Sequence, residues 1–372
     1  MDIKPHPPSD SARRAEALFL AGDFEQAGEI YRDLLSAGFD GYGQRVNFAQ
    51  CLKRQGKWHE ATRQFDIAFK LRRLEITKVP DRKISAFYVQ HLADQAQYLF
   101  VRGLIPEMKL QEFEAIQRLA RFLKDFYGIH GEGAVTPEMI DPISHLVFGC
   151  LNYAQETGAS ARINPDTRIE RIDLGVEGSH VYVVDDFLLP DTLAAMRRFL
   201  LESTIWYDAR PQRGYLGAHL HDGLACDLVE RTAQAVLEFA AGLIGPGLIS
   251  QVWAFRYAPK AAGIDLHADQ ASWNVNMWLT DEAHNRNPQT GGMTIYGCRA
   301  PDDWQFEMYN ASPDRVRAYL ESSNAASRRI EYKANRAIVF DSRLFHKTDP
   351  VEFSPEFDGR RINMTFMIDK RS

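Results

Sequence analysis

The chain of 372 residues holds only four cysteines, and none of them form a Cys-x-x-Cys pair. Cys51, Cys150, Cys226 and Cys298 are scattered, which argues against a disulfide framework and for reduced thiols in a cytoplasmic setting. Positive charge is not in excess. Lys and Arg number 44 against 50 Asp and Glu, for a net charge of −6. A protein built to hold a nucleic-acid backbone would show a basic face, so no nucleic-acid partner is expected. Long apolar runs are missing too. The longest, residues 233–249, is interrupted by Glu238 and by Gly245-Pro246-Gly247. It is too short and too broken to span a bilayer. Met1–Asp10 lacks the apolar core of a secretion signal. What remains is ordinary globular composition, 45% apolar and 25% charged, in a chain long enough for more than one domain.

The N-terminal part has helical grammar and an internal repeat. Gly22, Phe24, Ala27, Tyr31 and Leu34 recur 34 residues later as Gly56, Trp58, Ala61, Phe65 and Ala68. Ala15 and Leu18 recur as Ala49 and Leu52. The period and pattern resemble the tetratricopeptide repeat. In such a unit glycine ends the first helix, small alanines let the second approach closely, and aromatics fill the groove between them. Two repeats rarely stand alone. Further helices are expected over Ser85–Gly103 and Lys109–Tyr127, with loops over Gly128–Val135 and Gly158–Asp166. A boundary near 160–178 would give a helical domain at 8–165 and a second domain at 170–372. The repeats either buttress that second domain or offer a concave platform to a peptide or protein partner.

The second domain reads as strands. Gln251–Tyr257, Trp273–Thr280, Gly291–Tyr296, Arg328–Tyr332, Ala337–Phe340 and Arg361–Ile368 are apolar, aromatic or alternating runs. Turns are expected at Pro259–Gly263 and Ala334–Arg336. Between the first two runs stands His267-Ala-Asp269, and His346 follows 77 residues after Asp269. Within a strand, residues i and i+2 face the same side, so His-x-Asp presents two ligands together. A third must come from a strand folded back beside them. Two His and one carboxylate on one face are the ligand set of non-heme Fe(II) oxygenases. In the last run Arg361, Asn363 and Thr365 share one face, and Ile362, Met364, Phe366 and Ile368 the other. Arg361 there needs an anion, which its planar fork can hold bidentately. Arg360 points the opposite way.

These residues, in this order, resemble the 2-oxoglutarate/Fe(II)-dependent dioxygenases, in particular their prolyl-hydroxylase-like branch. The resemblance covers about the last 190 residues. Val181–Pro190 and the helix after it look like that family's first strand and helix. Tyr257, Gly291-Gly292, Ala334–Phe340 and Asp358-Gly-Arg-Arg361 match further elements. Trp278 stands where tyrosine is common, and Asn363 where Ser or Thr is common. The resemblance implies an α+β chain, with a double-stranded β-helix (jelly-roll) barrel and flanking helices after the helical repeats. It implies Fe(II) on His267, Asp269 and His346. It places 2-oxoglutarate on Arg361, with Tyr257, Asn276, Trp278 and Asn363 beside it, and O2 as the oxidant, yielding succinate and CO2. A hydroxylase of a peptide or protein side chain is the leading expectation. The alternatives are an enzyme acting on a free or carrier-bound amino acid or other small molecule, and a non-catalytic binding protein. Candidate substrate or lid residues are Trp206, Tyr207, Tyr215, His219, His221, Trp273, Asn274 and Trp304, each of which has a structural reading as core or polar loop.

Overall fold

The computed structural model describes residues 10–73, 83–105, 110–154, 156, 158–175 and 179–370. Expectations for residue 8, Lys109 and the last two residues fall outside them. Four helices come first. Helix α1 (Asp10–Leu20) pairs with α2 (Phe24–Ser36), and α3 (Tyr42–Arg54) with α4 (Trp58–Arg73). Gly22 and Gly56, one period apart, end the first helix of each pair with φ of 83° and 76°. That left-handed backbone is where glycine has no steric penalty. Ala15, Ala27, Ala49 and Ala61 are fully buried at the crossings, with Tyr31 and Phe65 between the helices. Asp23 caps α2 by accepting from the Gln26 amide at 3.1 Å.

Next come β1 (Lys83–Ser85), α5 (Ala86–Val101), α6 (Leu110–Tyr127), β2 (Glu132–Ala134), α7 (Pro137–Ile140) and α8 (Ser144–Val147). The two expected helices are present. The expected loop at 128–135 is not wholly irregular, because β2 pairs antiparallel with β1. Three-residue strands are too short to show alternation in sequence. These elements carry a small core of their own around Leu92, Ile116, Leu123 and Ile143. No helix among the described residues is long and apolar enough to cross a membrane.

The remaining elements are β3 (Arg168–Asp173), β4 (His180–Asp185), α9 (Pro190–Glu202), β5 (Asp208–Arg210), β6 (Tyr215–His219), α10 (Asp227–Ile244), β7 (Gly247–Tyr257), β8 (Lys260–Ala261), β9 (Trp273–Trp278), β10 (Met293–Arg299), α11 (Phe306–Asn310), α12 (Pro313–Ser322), β11 (Ser327–Ile330), β12 (Ala337–Asp341), β13 (Leu344–Thr348), β14 (Val351–Glu352) and β15 (Ile362–Lys370). An eight-stranded antiparallel sheet runs β3-β4-β12-β9-β15-β7-β6-β5, and a smaller sheet runs β11-β10-β13. Side-chain alternation decides what each face of the large sheet does. Ile362, Met364, Phe366 and Ile368 of β15 join α9, α10 and helices α1 to α4 in one continuous apolar core. On the other face Tyr257 and Trp278 pack with Met293, Ile295 and Leu344 of the small sheet. The two sheets thus enclose a second core, and the candidate site opens at its edge.

Helices α3 and α4 are seated on this assembly by polar contacts as well. Arg73 donates to Asp222 at 3.1 Å and to the Phe148 carbonyl at 3.2 Å, with its guanidinium 3.4 Å from the centre of the Tyr207 ring. Arg54 bridges to Asp369 at 2.7 Å.

Candidate metal centre and anion pocket

His267 and Asp269 do not lie in a ladder strand, contrary to the expectation from their spacing. Their segment is extended but joins the small sheet through a single bridge, His267 to His346. Backbone bonds fix it there. His267 N donates to His346 O at 3.0 Å and His346 N to His267 O at 2.8 Å. Asp269 N donates to Ser342 O at 2.9 Å, and Thr348 N to Ile264 O at 2.9 Å. Gly263 permits the approach. Its φ is 83°, and a Cβ there would fall 2.3 Å from the Thr348 carbonyl oxygen. The i, i+2 geometry therefore survives without a strand.

Ligand atoms of His267, Asp269 and His346 lie within 4.8 Å of one another. Nε2 of His346 is 3.4 Å from Oδ2 of Asp269, and Nε2 of His267 is 3.8 Å from Oδ1. Each Nδ1 is engaged behind, on the carbonyl of Asp265 at 2.7 Å and of Leu344 at 2.9 Å. That arrangement turns both Nε2 lone pairs toward the carboxylate and fixes the ring orientation. Asn274 Nδ2 donates to Asp269 Oδ2 at 3.1 Å. Burial, and then His346, pull His267 down to about 4, so it is neutral at pH 7. Burial works to raise the Asp269 carboxyl, yet the neighbouring imidazoles of His346 and His267 and the Asn274 hydrogen bond hold it below the ordinary range. A neutral His267 imidazole beside an ionised Asp269 carboxylate suits a divalent metal, whose ligands must be deprotonated.

A cavity of about 160 Å³ opens on this cluster. Asn274 and Asn276 of β9, Asn363 and Thr365 of β15, Tyr215, and Tyr257 line it. Arg361, immediately before β15, is 1% exposed. Its Nε donates to the Gly291 carbonyl at 2.9 Å and its Nη1 to Asn363 Oδ1 at 3.0 Å. The guanidinium carbon is 4.7 Å from the centre of the Tyr257 ring and 5.7 Å from those of Trp278 and Tyr332. Among the described residues no carboxylate pairs with it. Arg360 turns the other way and pairs with Asp94 of α5, as the alternation requires. Asn274 Oδ1, Asn276 Oδ1 and the Trp278 indole nitrogen are buried without partners. Buried polar atoms are normally satisfied, and the two asparagines line the cavity, where a polar ligand could meet their oxygens.

Other candidates lie elsewhere. Trp206 is core, 1% exposed, and its indole donates to the Leu200 carbonyl at 3.0 Å. The Tyr207 hydroxyl lies 2.7 Å from the Thr204 carbonyl and 2.9 Å from that of Gly149, which share its one proton. Trp273 is one residue out of phase with Asn274 and packs against the helical side of the sheet. Trp304 packs on Tyr319 and Phe345. His219 and His221 stack at 5.6 Å, with His219 held 3.2 Å from Asp208, and line a different cavity. Three kinds of lining residue were not foreseen. Trp253 and Phe255 alternate with Tyr257 along β7 and were legible as period two. Thr348 follows His346 by two. Arg213, Asn310 and Pro313 come from loops and from α11 and α12, for which the sequence gives no spatial signal.

No protein-family model matches the sequence, and no curated protein matches it. Solved structures similar to the chain include the non-heme alpha-ketoglutarate-dependent carbocyclase SnoK from nogalamycin biosynthesis, 15% identical, covering 51% of this chain and 79% of that one, with a TM-score of 0.41. AviO1 from Streptomyces viridochromogenes Tue57 is 19% identical over 48% of this chain and 86% of its own, with a TM-score of 0.34. HygX from Streptomyces hygroscopicus, solved with nickel and 2-oxoglutarate, is 12% identical over 52% of this chain and 83% of its own, with a TM-score of 0.37. Likeness of this size fixes neither family nor activity.

Proposed function

We propose that the chain is an Fe(II)- and 2-oxoglutarate-dependent oxygenase whose paired sheets form a double-stranded β-helix. The observation that carries this reading is a pair of features, one lining the cavity and one buried just behind its wall, against Asn363 and Tyr257. One is the His267–Asp269–His346 cluster, within 4.8 Å. The other is Arg361, a buried cation with no carboxylate partner among the described residues. Three protein ligands on one face suit non-heme iron with open positions. When bound, Fe(II) and 2-oxoglutarate supply O2-dependent oxidation of a substrate, with succinate and CO2 as coproducts.

The chain's own residues then have separable tasks. His267, Asp269 and His346 hold the metal, and Asn274 orients the Asp269 carboxylate. Arg361 receives the far carboxylate of the keto-acid, and its aromatic surround of Tyr257, Trp278 and Tyr332 excludes water, which strengthens that pairing. Asn276 and Asn363 offer amide groups along the same wall. Tyr215, Trp253 and Phe255 present the ring faces that position the reacting bond.

For the substrate we favour a small molecule over a peptide side chain. Every residue lining the 160 Å³ cavity lies between Arg213 and Thr365, and none belongs to the repeats. The helical region at 8–165, read as tetratricopeptide-like, then serves the 170–372 domain first as a buttress. The test is succinate formation with Fe(II) and 2-oxoglutarate across panels of free amino acids, other small acids and peptides. Stimulation by small acids supports the reading. Stimulation by peptides alone would return the peptidyl reading, and no succinate under any condition would remove the enzyme reading.

A further inference from the structure

A second cavity of about 440 Å³ lies between the repeat helices and the mouth of the sheets. One wall is Phe19 and Leu20 of α1 and Lys53 of α3; the other is His219 of β6 and Gln251 and Trp253 of β7. It adjoins the metal cavity, and Trp253 lines both. The register explains how. Along β7, Gln251, Trp253, Phe255 and Tyr257 are successive residues of one face. The rings of Trp253 and Phe255 stack at 6.0 Å, and Tyr215 packs on Phe255 at 4.5 Å. A continuous aromatic strip therefore leads from Tyr257, beside Arg361, to the helical groove. Four residues of strand make it about 13 Å long.

At the far end of the strip stands Lys53. It is 2% exposed and forms part of the groove wall. Among the described residues no side chain bonds or ion-pairs with its ammonium. The nearby charges are committed. Asp369 is bridged to Arg54 at 2.7 Å, His219 faces Asp208 at 3.2 Å, and His221 faces Asp222 at 3.9 Å. A lysine without an anion is rarely buried, since an unpaired charge is costly there.

We infer that the groove seats the far end of the substrate, and that this end carries a carboxylate or phosphate group that pairs with Lys53. The substrate is then an elongated acid. Its reacting end lies at the metal, its flat or apolar middle lies on Trp253 and Phe255, and its anion reaches the repeat helices. The inference rests on reading the metal cavity as the reacting end. It gives the helical region a direct part in recognition. Burial and the neighbouring Arg54 pull Lys53 down to about 7, so arrival of an anion would be accompanied by proton uptake at neutral pH.

The full-length protein is titrated calorimetrically with phenylbutyrate, phenylbutyl phosphate and neutral phenylbutanol, with and without Mn(II) plus 2-oxoglutarate. At least one anion is expected to bind one-to-one and about tenfold or more tighter than the alcohol, as a charge-assisted pair implies. The tighter anion identifies the group. Lys53→Met should reduce the anions to the affinity of the alcohol, and Lys53→Arg should keep the preference. Proton uptake, read from heats in buffers of different ionisation enthalpy, should accompany binding to the wild type and vanish in Lys53→Arg. In the unmodified protein, labelling of Lys53 by trinitrobenzenesulfonate should be slowed by the anion and not by the alcohol. Equal affinities for anion and alcohol, an anion preference that survives Lys53→Met, or equal labelling rates would overturn the inference. Loss of Mn(II) and 2-oxoglutarate binding with a retained Lys53-dependent preference would instead sink the metal reading alone.

Discussion

Nε2 of His346 stands 3.4 Å from Oδ2 of Asp269, and the same carboxylate oxygen accepts from Asn274 Nδ2 at 3.1 Å. The side chain that orients the carboxylate is thus separate from the three that would hold the metal. Asn274→Ala should leave the triad in place and weaken Fe(II) or Mn(II) binding by about 10- to 100-fold, the usual effect of losing such support. Calorimetric titration of the folded variant measures this. Unchanged affinity would mean the hydrogen bond does not set the carboxylate's position.

Arg361 and Arg360 are neighbours with opposite duties. Arg361→Ala should raise the apparent Michaelis constant for 2-oxoglutarate by about 30- to 1000-fold, or roughly 2–4 kcal/mol. Arg360→Ala breaks the pair with Asp94 and the bonds to the Pro355 carbonyl, none of them at the cavity, so it should shift thermal stability and leave the keto-acid constant near wild type. The reverse ranking would place the anion on the other face of β15.

This pair shows what the sequence made legible. Period-two alternation around Arg361 told its face apart from that of Arg360, and the same rule grouped Asn363 and Thr365 with it. The His-x-Asp spacing gave two ligands on one side, although the segment proved to be bridged loop and not strand. Alternation failed where burial on both faces hides it. Trp273 and Asn274 are adjacent, yet only Asn274 reaches the cavity. Trp206 is an aromatic residue of no fixed period and went to the core. Lys53 also reads as an exposed helix position by charge, but the repeat helices pack on β7 and bury it. Packing between distant segments has no local signature.

Lys53 gives a pH-dependent stability. Its folded value is about 7 against an ordinary 10.5, so below pH 7 a buried charge is carried at full cost. As pH rises from 7 toward 10.5 the folded chain has already lost that proton while the unfolded chain still holds it, and stability rises. Lys53→Met should therefore stabilise the protein at pH 6 by a few kcal/mol at most, and the gain should shrink toward pH 10. Denaturant midpoints at the two pH values decide it. A gain that grows with pH would contradict the assignment.

Arg73 joins the repeat helices to the rest of the chain through Asp222, the Phe148 carbonyl and the Tyr207 ring. With only 10% of either charged side chain exposed, Arg73→Ala should cost about 2–4 kcal/mol, because it strips Asp222 of its closer partner. Arg13→Ala, at a pair that is exposed on both sides, should cost less than about 0.5 kcal/mol. Equal effects in thermal unfolding would show that the helical region is not seated through Arg73.

The most direct test of the metal and keto-acid assignment is an anaerobic calorimetric titration of the full chain with Fe(II), followed by 2-oxoglutarate. The expected result is one Fe(II) per chain, 2-oxoglutarate binding only after the metal, no metal binding in Asp269→Ala or His267→Ala, and normal metal but weakened 2-oxoglutarate binding in Arg361→Ala. Absence of Fe(II) binding to the wild type, or Fe(II) binding that is the same in Asp269→Ala, would contradict it.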